Sequence, residues 1–116
     1  MSADCLFCRI VERTLPATVV AEDETLVSFQ DINPQAPTHI LIVPKTHIAN
    51  VADLTDATAP AIMGRLTLMA NRLAKQFGFA DDGYRLVVNC GPHGGQTVSH
   101  LHLHLLGGRR MTWPPG

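Results

Sequence analysis

A chain of 116 residues is about one domain's worth, and a compact domain of that length buries roughly two thirds of the surface its unfolded chain exposes. With 46% hydrophobic and 16% charged residues it is too apolar for a disordered segment, yet no apolar run approaches the roughly 18 residues of a membrane span. A net charge of −1, with Arg109 and Arg110 the only adjacent basic pair, excludes the basic stripe that holds a nucleic-acid backbone.

In chain order, "MSADCLFCRIVERTL" mixes acid, base and cysteine and shows no secretory signal, so a cytoplasmic protein without membrane or nucleic-acid partners is expected. Cys5 to Leu15 reads as a short helix with Leu6, Ile10 and Arg13 on one side, ended by Pro16. "TVVAEDETLVSF" reads as two strands around an acidic turn at Glu22–Glu24. "QDINPQAPTH" is a loop, and the continuous apolar run "HILIVP" that follows suits a central strand. Ile62, Leu66, Met69, Leu73 and Phe77 repeat at helical steps, which predicts one amphipathic helix from about Pro60 to Phe77 with Gly78 at its C-terminal end. "YRLVVN" is a further strand, "CGPHGGQT" a glycine-rich connection, and "VSHLHLHLL" the last strand. The result is a single α+β domain over 1–116 with a largely antiparallel sheet.

In "HLHLHLL" a histidine occupies every second position. Strand side chains alternate between faces, so Val98, His100, His102 and His104 share one face and Leu101, Leu103 and Leu105 the other, which the core takes. At a rise of about 3.3 Å per residue the outer two histidines lie roughly 13 Å apart, too far for the row to ligate one ion. Division of labour fits better, because a neutral imidazole serves both as a nucleophile and as a proton-transfer group near neutral pH. The loop before the row offers Gly91, Gly94 and Gly95 for close backbone approach, with Gln96 and Thr97 as polar donors.

"CLFC" at 5 to 8 has the spacing that points two thiolates at one tetrahedral metal, against a redox pair or two buried thiols as alternatives. With no second such pair, the remaining ligands would be histidines. Cys90 and His93 receive no role.

The histidine row, together with "FQDINPQAPTHILIVPKTHI", "VVNCGPHGGQT" and the terminal "WPPG", resembles the histidine triad family over nearly the whole chain, in its nucleotide-binding, purine nucleoside phosphoramidase-like branch. The resemblance implies hydrolysis of purine nucleoside 5′-phosphoramidates, and of aminoacyl-AMP such as lysyl-AMP, through a nucleotidyl-histidine and without a catalytic metal. His102 would be the nucleophile and His104 would contact the phosphate. Gln96 and Thr97 would bind phosphate oxygen or assist departure of the amine, with Gly95 in the same loop and Asn89 positioning the phosphoryl group. Asp31 would accept hydrogen bonds from the ribose, Phe29, Ile32 and Ile10 would line the purine pocket, and His39 would support the row from the neighbouring strand. A structural zinc would be held by Cys5, Cys8, His47 and His100. A homodimer through the long helix and adjoining strand is also implied, with the tail around Trp113 reaching toward the partner's site. The competing readings are a nucleotide-binding or scaffolding module, a dinucleoside polyphosphate hydrolase of the same superfamily, and hydrolysis by a zinc-bound water.

Overall fold

The structure, a computed structural model, describes residues 4–116; residues 1–3 of the expected single domain lie outside the described residues. Five strands form one antiparallel sheet in the order β1-β2-β3-β5-β4, with a short helix and a long helix. The strands are β1 (Val19–Glu22), β2 (Leu26–Gln30), β3 (Thr38–Pro44), β4 (Arg85–Val87) and β5 (Leu103–Gly107). The helices are α1 (Leu6–Val11) and α2 (Ala59–Gln76), with a single 3₁₀ turn at Val51–Asp53.

β3 is central, and its apolar run is buried on both faces. Ile40 and Ile42 pack with Leu26, Leu101, Leu103 and Leu105 against Leu66, Met69, Leu73 and Ala74 of α2. Leu41 and Val43 point the other way, into a smaller core with Val27 and Phe29 of β2 and Phe7 and Ile10 of α1. The period of two thus sends alternate residues of one strand to two different helices. The β1–β2 turn lies where the acidic break predicts, closed by Asp23, whose Oδ1 accepts the N–H groups of Thr25 and Leu26 at 2.8 Å each. Those two bonds, the one from Thr25 foremost, hold the Asp23 carboxyl below its ordinary range.

Three elements differ from the sequence reading. α1 stops at Val11 rather than running to Leu15, because Arg13 adopts φ 65 and the N–H groups of Thr14 and Leu15 both return to the carbonyl of Arg9. Its buried face is Phe7, Cys8 and Ile10, while Leu6 is 46% exposed. The β4 ladder is three residues long, not the six of "YRLVVN". The last strand starts at Leu103, so His102 lies in irregular chain ahead of it and His100 in a bend, its N–H donating to the carbonyl of Val98 at 2.8 Å. Proline explains this: the β3–β5 register ends at Ile42 opposite Leu103, and Pro44 has no N–H with which to continue a ladder. The Leu101 N–H bonds instead to the carbonyl of Ile48 at 2.6 Å. The alternation outlives the ladder, since all three leucines remain in the α2 core while His100 and His102 are buried on the α1 side.

Candidate active site and metal centre

His104 sits opposite Leu41 in the β3–β5 register and His39 opposite Leu106, so the two histidines are diagonal neighbours on one face of the sheet. Their rings meet, with Nε2 of His39 3.0 Å from Nδ1 of His104. The backbone N–H of Gln35 donates to Nδ1 of His39 at 3.0 Å, which places the proton of a neutral His39 on Nε2 and makes it the donor to His104. Nδ1 of neutral His104 then accepts and its Nε2 carries the proton. That Nε2 is buried and has no hydrogen-bond partner among the described residues. Burial first, then the neighbouring His102 and His39, hold the His104 imidazole down to about 4, so it is neutral at physiological pH. Asp31 completes the group, with Oδ2 3.5 Å from Nε2 of His39.

His102 is oriented by the row itself. Its Nδ1 lies 2.7 Å from the carbonyl oxygen of His100; a carbonyl only accepts, so Nδ1 is protonated and Nε2 of the neutral ring carries the lone pair. The ring stands edge-on to Phe7, with centroids 5.0 Å apart, and lies 5.0 Å from the ring of His104. Phe7 in turn makes an edge contact with Phe29. The sequence reading missed Phe7; its place between two candidate metal ligands was the available signal.

The first histidine of the row faces elsewhere. Nε2 of His100 donates to the carbonyl of Pro44 at 2.8 Å, which leaves its Nδ1 as an acceptor pointed at Cys5 Sγ (3.3 Å), Cys8 Sγ (3.4 Å) and His47 Nδ1 (3.2 Å). His47 Nδ1 is 3.2 Å from Cys8 Sγ, and the four ligand atoms all lie within 4.8 Å of one another. A tetrahedral zinc, bound at about 2.3 Å to sulfur and about 2.0 Å to nitrogen, separates its ligands by about 3.3 to 3.8 Å. The donor set and spacings therefore fit such an ion, and the Pro44 carbonyl is the outer partner that fixes the ring of His100. Burial lowers the basicity of His100, which keeps it neutral and able to ligate. Cys5 also accepts the Cys8 N–H as the N-cap of α1, so the helix that covers His102 starts inside this cluster.

The other residues singled out in the sequence are placed as follows. Phe29 and Ile10 are buried in the core beneath α1, whereas Ile32 is wholly exposed beside Asp31. Thr97 is exposed and lines a groove of about 890 Å³ with Cys5, Cys8, His47, Lys45 and Glu12. Asn89 is half-buried just past β4. Gly95 adopts φ 82 in the turn of the glycine-rich loop, a conformation that only glycine takes up without strain. Gln96 braces that loop from within: its amide nitrogen donates to the carbonyls of Ala49 (2.8 Å) and Val98 (2.9 Å), and its oxygen accepts from Gly91 at 3.0 Å. The Gln96 amide is thus engaged within the protein. Cys90 is exposed on the same loop.

Comparison with known proteins gives the family of the chain. The HIT domain matches residues 12–111. A 14 kDa zinc-binding protein of Zea mays is 51% identical over 117 residues, covering 96% of this chain and 87% of its own length. A purine nucleoside phosphoramidase of Escherichia coli is 46% identical over 111 residues, covering 96% of this chain and 92% of that protein. The crystal structure of a HIT family hydrolase from Legionella pneumophila superposes with a TM-score of 0.94 at 52% identity, covering 97% of this chain and 100% of the other. On sequence and fold, the chain belongs to the HIT domain family.

Proposed function

We propose that this protein hydrolyses the P–N bond of purine nucleoside 5′-phosphoramidates, releasing an amine and the nucleoside monophosphate. The observation that carries the reading is the tautomer of His102: its Nδ1–H is held by the His100 carbonyl at 2.7 Å, so Nε2 is a free lone pair. That lone pair attacks the α-phosphorus, the P–N bond breaks, and the amine leaves with a proton drawn from solvent. The product is a nucleotidyl-His102. Water then attacks the same phosphorus, the bond to His102 breaks, and the monophosphate departs. His104 offers its otherwise unpaired Nε2–H to a phosphoryl oxygen throughout. The same attack on an aminoacyl-AMP would break P–O in place of P–N. In this reading Asp31 holds the ribose hydroxyls, Phe29, Ile10 and Ile32 contact the purine, and Asn89, Gly95 and Thr97 stand around the phosphate. The Escherichia coli relative named for this activity supports the assignment.

Cys5, Cys8, His47 and His100 would hold zinc, with the Zea mays relative as support. Bound there, the ion would tie the start of α1 to the histidine row. Four protein ligands leave it no open position for a reacting water, so its place is structural. The homodimer is part of the same reading, and exposed Leu68 on α2, Leu86 on β4 and Trp113 in the tail supply apolar surface for it.

The test is a single turnover of excess protein with an adenosine 5′-phosphoramidate bearing a fluorescent amine, with a metal chelator present. Wild-type protein should release the amine before AMP appears, and His102→Ala should be slower by a factor on the order of 10⁴ or more. AMP binding without amine release by wild-type protein would establish the binding-module reading instead.

A further inference from the structure

Asp31 has a second connection that ribose binding does not require. Its backbone N–H donates to the carbonyl of His39 at 2.9 Å, which ties the end of β2 to the residue that supports His104. One carboxylate oxygen, Oδ1, is taken by the Asn33 N–H at 2.8 Å; the other, Oδ2, faces Nε2 of His39 at 3.5 Å. The His39 ring is thus held at three points: by the Gln35 N–H on one nitrogen, and by Asp31 and His104 around the other. We propose that the Asp31 carboxylate is a positioning residue for the phosphoryl step, holding the His39–His104 pair in the tautomer that presents an N–H to the phosphate. This rests on the reaction proposed above.

The electrostatics run in that direction. A negative charge beside Nε2 favours the His39 tautomer protonated there, and that proton obliges Nδ1 of His104 to accept and its Nε2 to donate. The side chain of Asp31 is only 18% exposed and that of His39 5%, so the interaction is weakly screened. The Asp31 charge also opposes the effect of burial on both imidazoles. The three ligand atoms lie within 4.8 Å of one another, close enough for a metal, but a metal on Nε2 of His39 would move its proton to Nδ1, against the Gln35 N–H. The hydrogen-bonded arrangement is the consistent one. A ribose hydroxyl and the His39 N–H would then share a single carboxylate, linking sugar recognition to the phosphate donor.

A substrate without ribose hydroxyls separates the two roles. Wild-type protein and Asp31→Asn are compared on a fluorescent-amine adenosine 5′-phosphoramidate and on its 2′,3′-dideoxy analogue, at saturation, together with ¹⁵N spectra of the histidine rings. A positioning role predicts that Asp31→Asn slows P–N cleavage of the dideoxy substrate as well, by ten- to a hundredfold, the scale on which misplacing a catalytic group acts. It also predicts shifted ring nitrogens at His39 and His104. Equal saturating rates on the dideoxy substrate, with only KM for the ribose substrate raised, would overturn it. If wild-type protein cleaves neither compound, the proposed reaction fails, and the ring spectra alone then decide the positioning role: unchanged His104 nitrogens overturn it, shifted ones uphold it. Should Asp31→Asn lose its dispersed amide spectrum, Asp31→Ser, which keeps an acceptor for Asn33 without the charge, replaces it under the same criteria.

Discussion

Three histidines of identical chemistry become three different groups because each ring has a different fixed partner. His100 gives its Nε2–H to Pro44 and turns Nδ1 to the thiols; His102 gives its Nδ1–H to a carbonyl and keeps Nε2 open; His104 accepts at Nδ1 and offers Nε2–H. The spacing argument identifies the row as divided, and nothing in "HLHLHLL" says which nitrogen carries the proton, since the partners lie 2 to 65 residues away. The depressed His104 has a consequence for stability. Its folded value of about 4 lies below the ordinary 6.5, so the unfolded chain takes up this proton first as pH falls. The contribution is complete above pH 6.5 and is lost between 6.5 and about 4. Thermal melts of wild-type protein should decline through that window, and the decline should be shallower in His104→Asn; identical slopes would show that His104 is not the group responsible. Gln96 makes three hydrogen bonds, two to its own loop and one to the carbonyl of Ala49, so Gln96→Ala should lower stability by about 1–3 kcal/mol in denaturant titration.

Among the elements, α1 links the two sites. It is six residues long, too short to stand on its own propensity, and is held by the Cys5 cap, by Cys8 in the cysteine–histidine cluster, and by Phe7 and Ile10 in the smaller core. Removing the metal should therefore release the helix before the sheet. We expect about one zinc per chain in the wild-type protein and close to none in Cys8→Ser, with amide exchange accelerated first over 6–11 and around His47; full zinc retention in the variant would refute the ligand set. At the other end of the sheet, Gly107 ends β5 with the ring of Phe79 packed where a β-carbon would stand. Gly107→Ala should lower stability by about 1–3 kcal/mol through overpacking, readable as a shift in the denaturant midpoint. That the two cysteines of "CLFC" point at one site was legible from their spacing. That the intervening Phe7 also contacts His102 was not, because that contact spans the whole chain.

For the whole molecule, the sheet is covered unequally: α2 buries one face along 18 residues, while α1 covers only part of the other and leaves the histidines beside it. The exposed apolar residues Leu68, Leu86 and Trp113 remain, and in the proposed dimer they meet a second copy. Sedimentation should give twice 12.6 kDa at micromolar concentration, and Leu68→Glu with Leu86→Glu should return the monomer mass; a wild-type monomer would refute the dimer. The hairpin, the central strand, the long helix and the separation of leucines from histidines are all contained in local periodicity and turn chemistry, so the sequence by itself determined the α+β fold, while its family was read from the resemblance of its motifs. Where β5 begins, which face of α1 is buried and how each imidazole is protonated were decided only in the tertiary structure. These depend on a proline without an N–H, a left-handed Arg13 and backbone carbonyls contributed by distant segments, none of which acts until the chain has closed on itself.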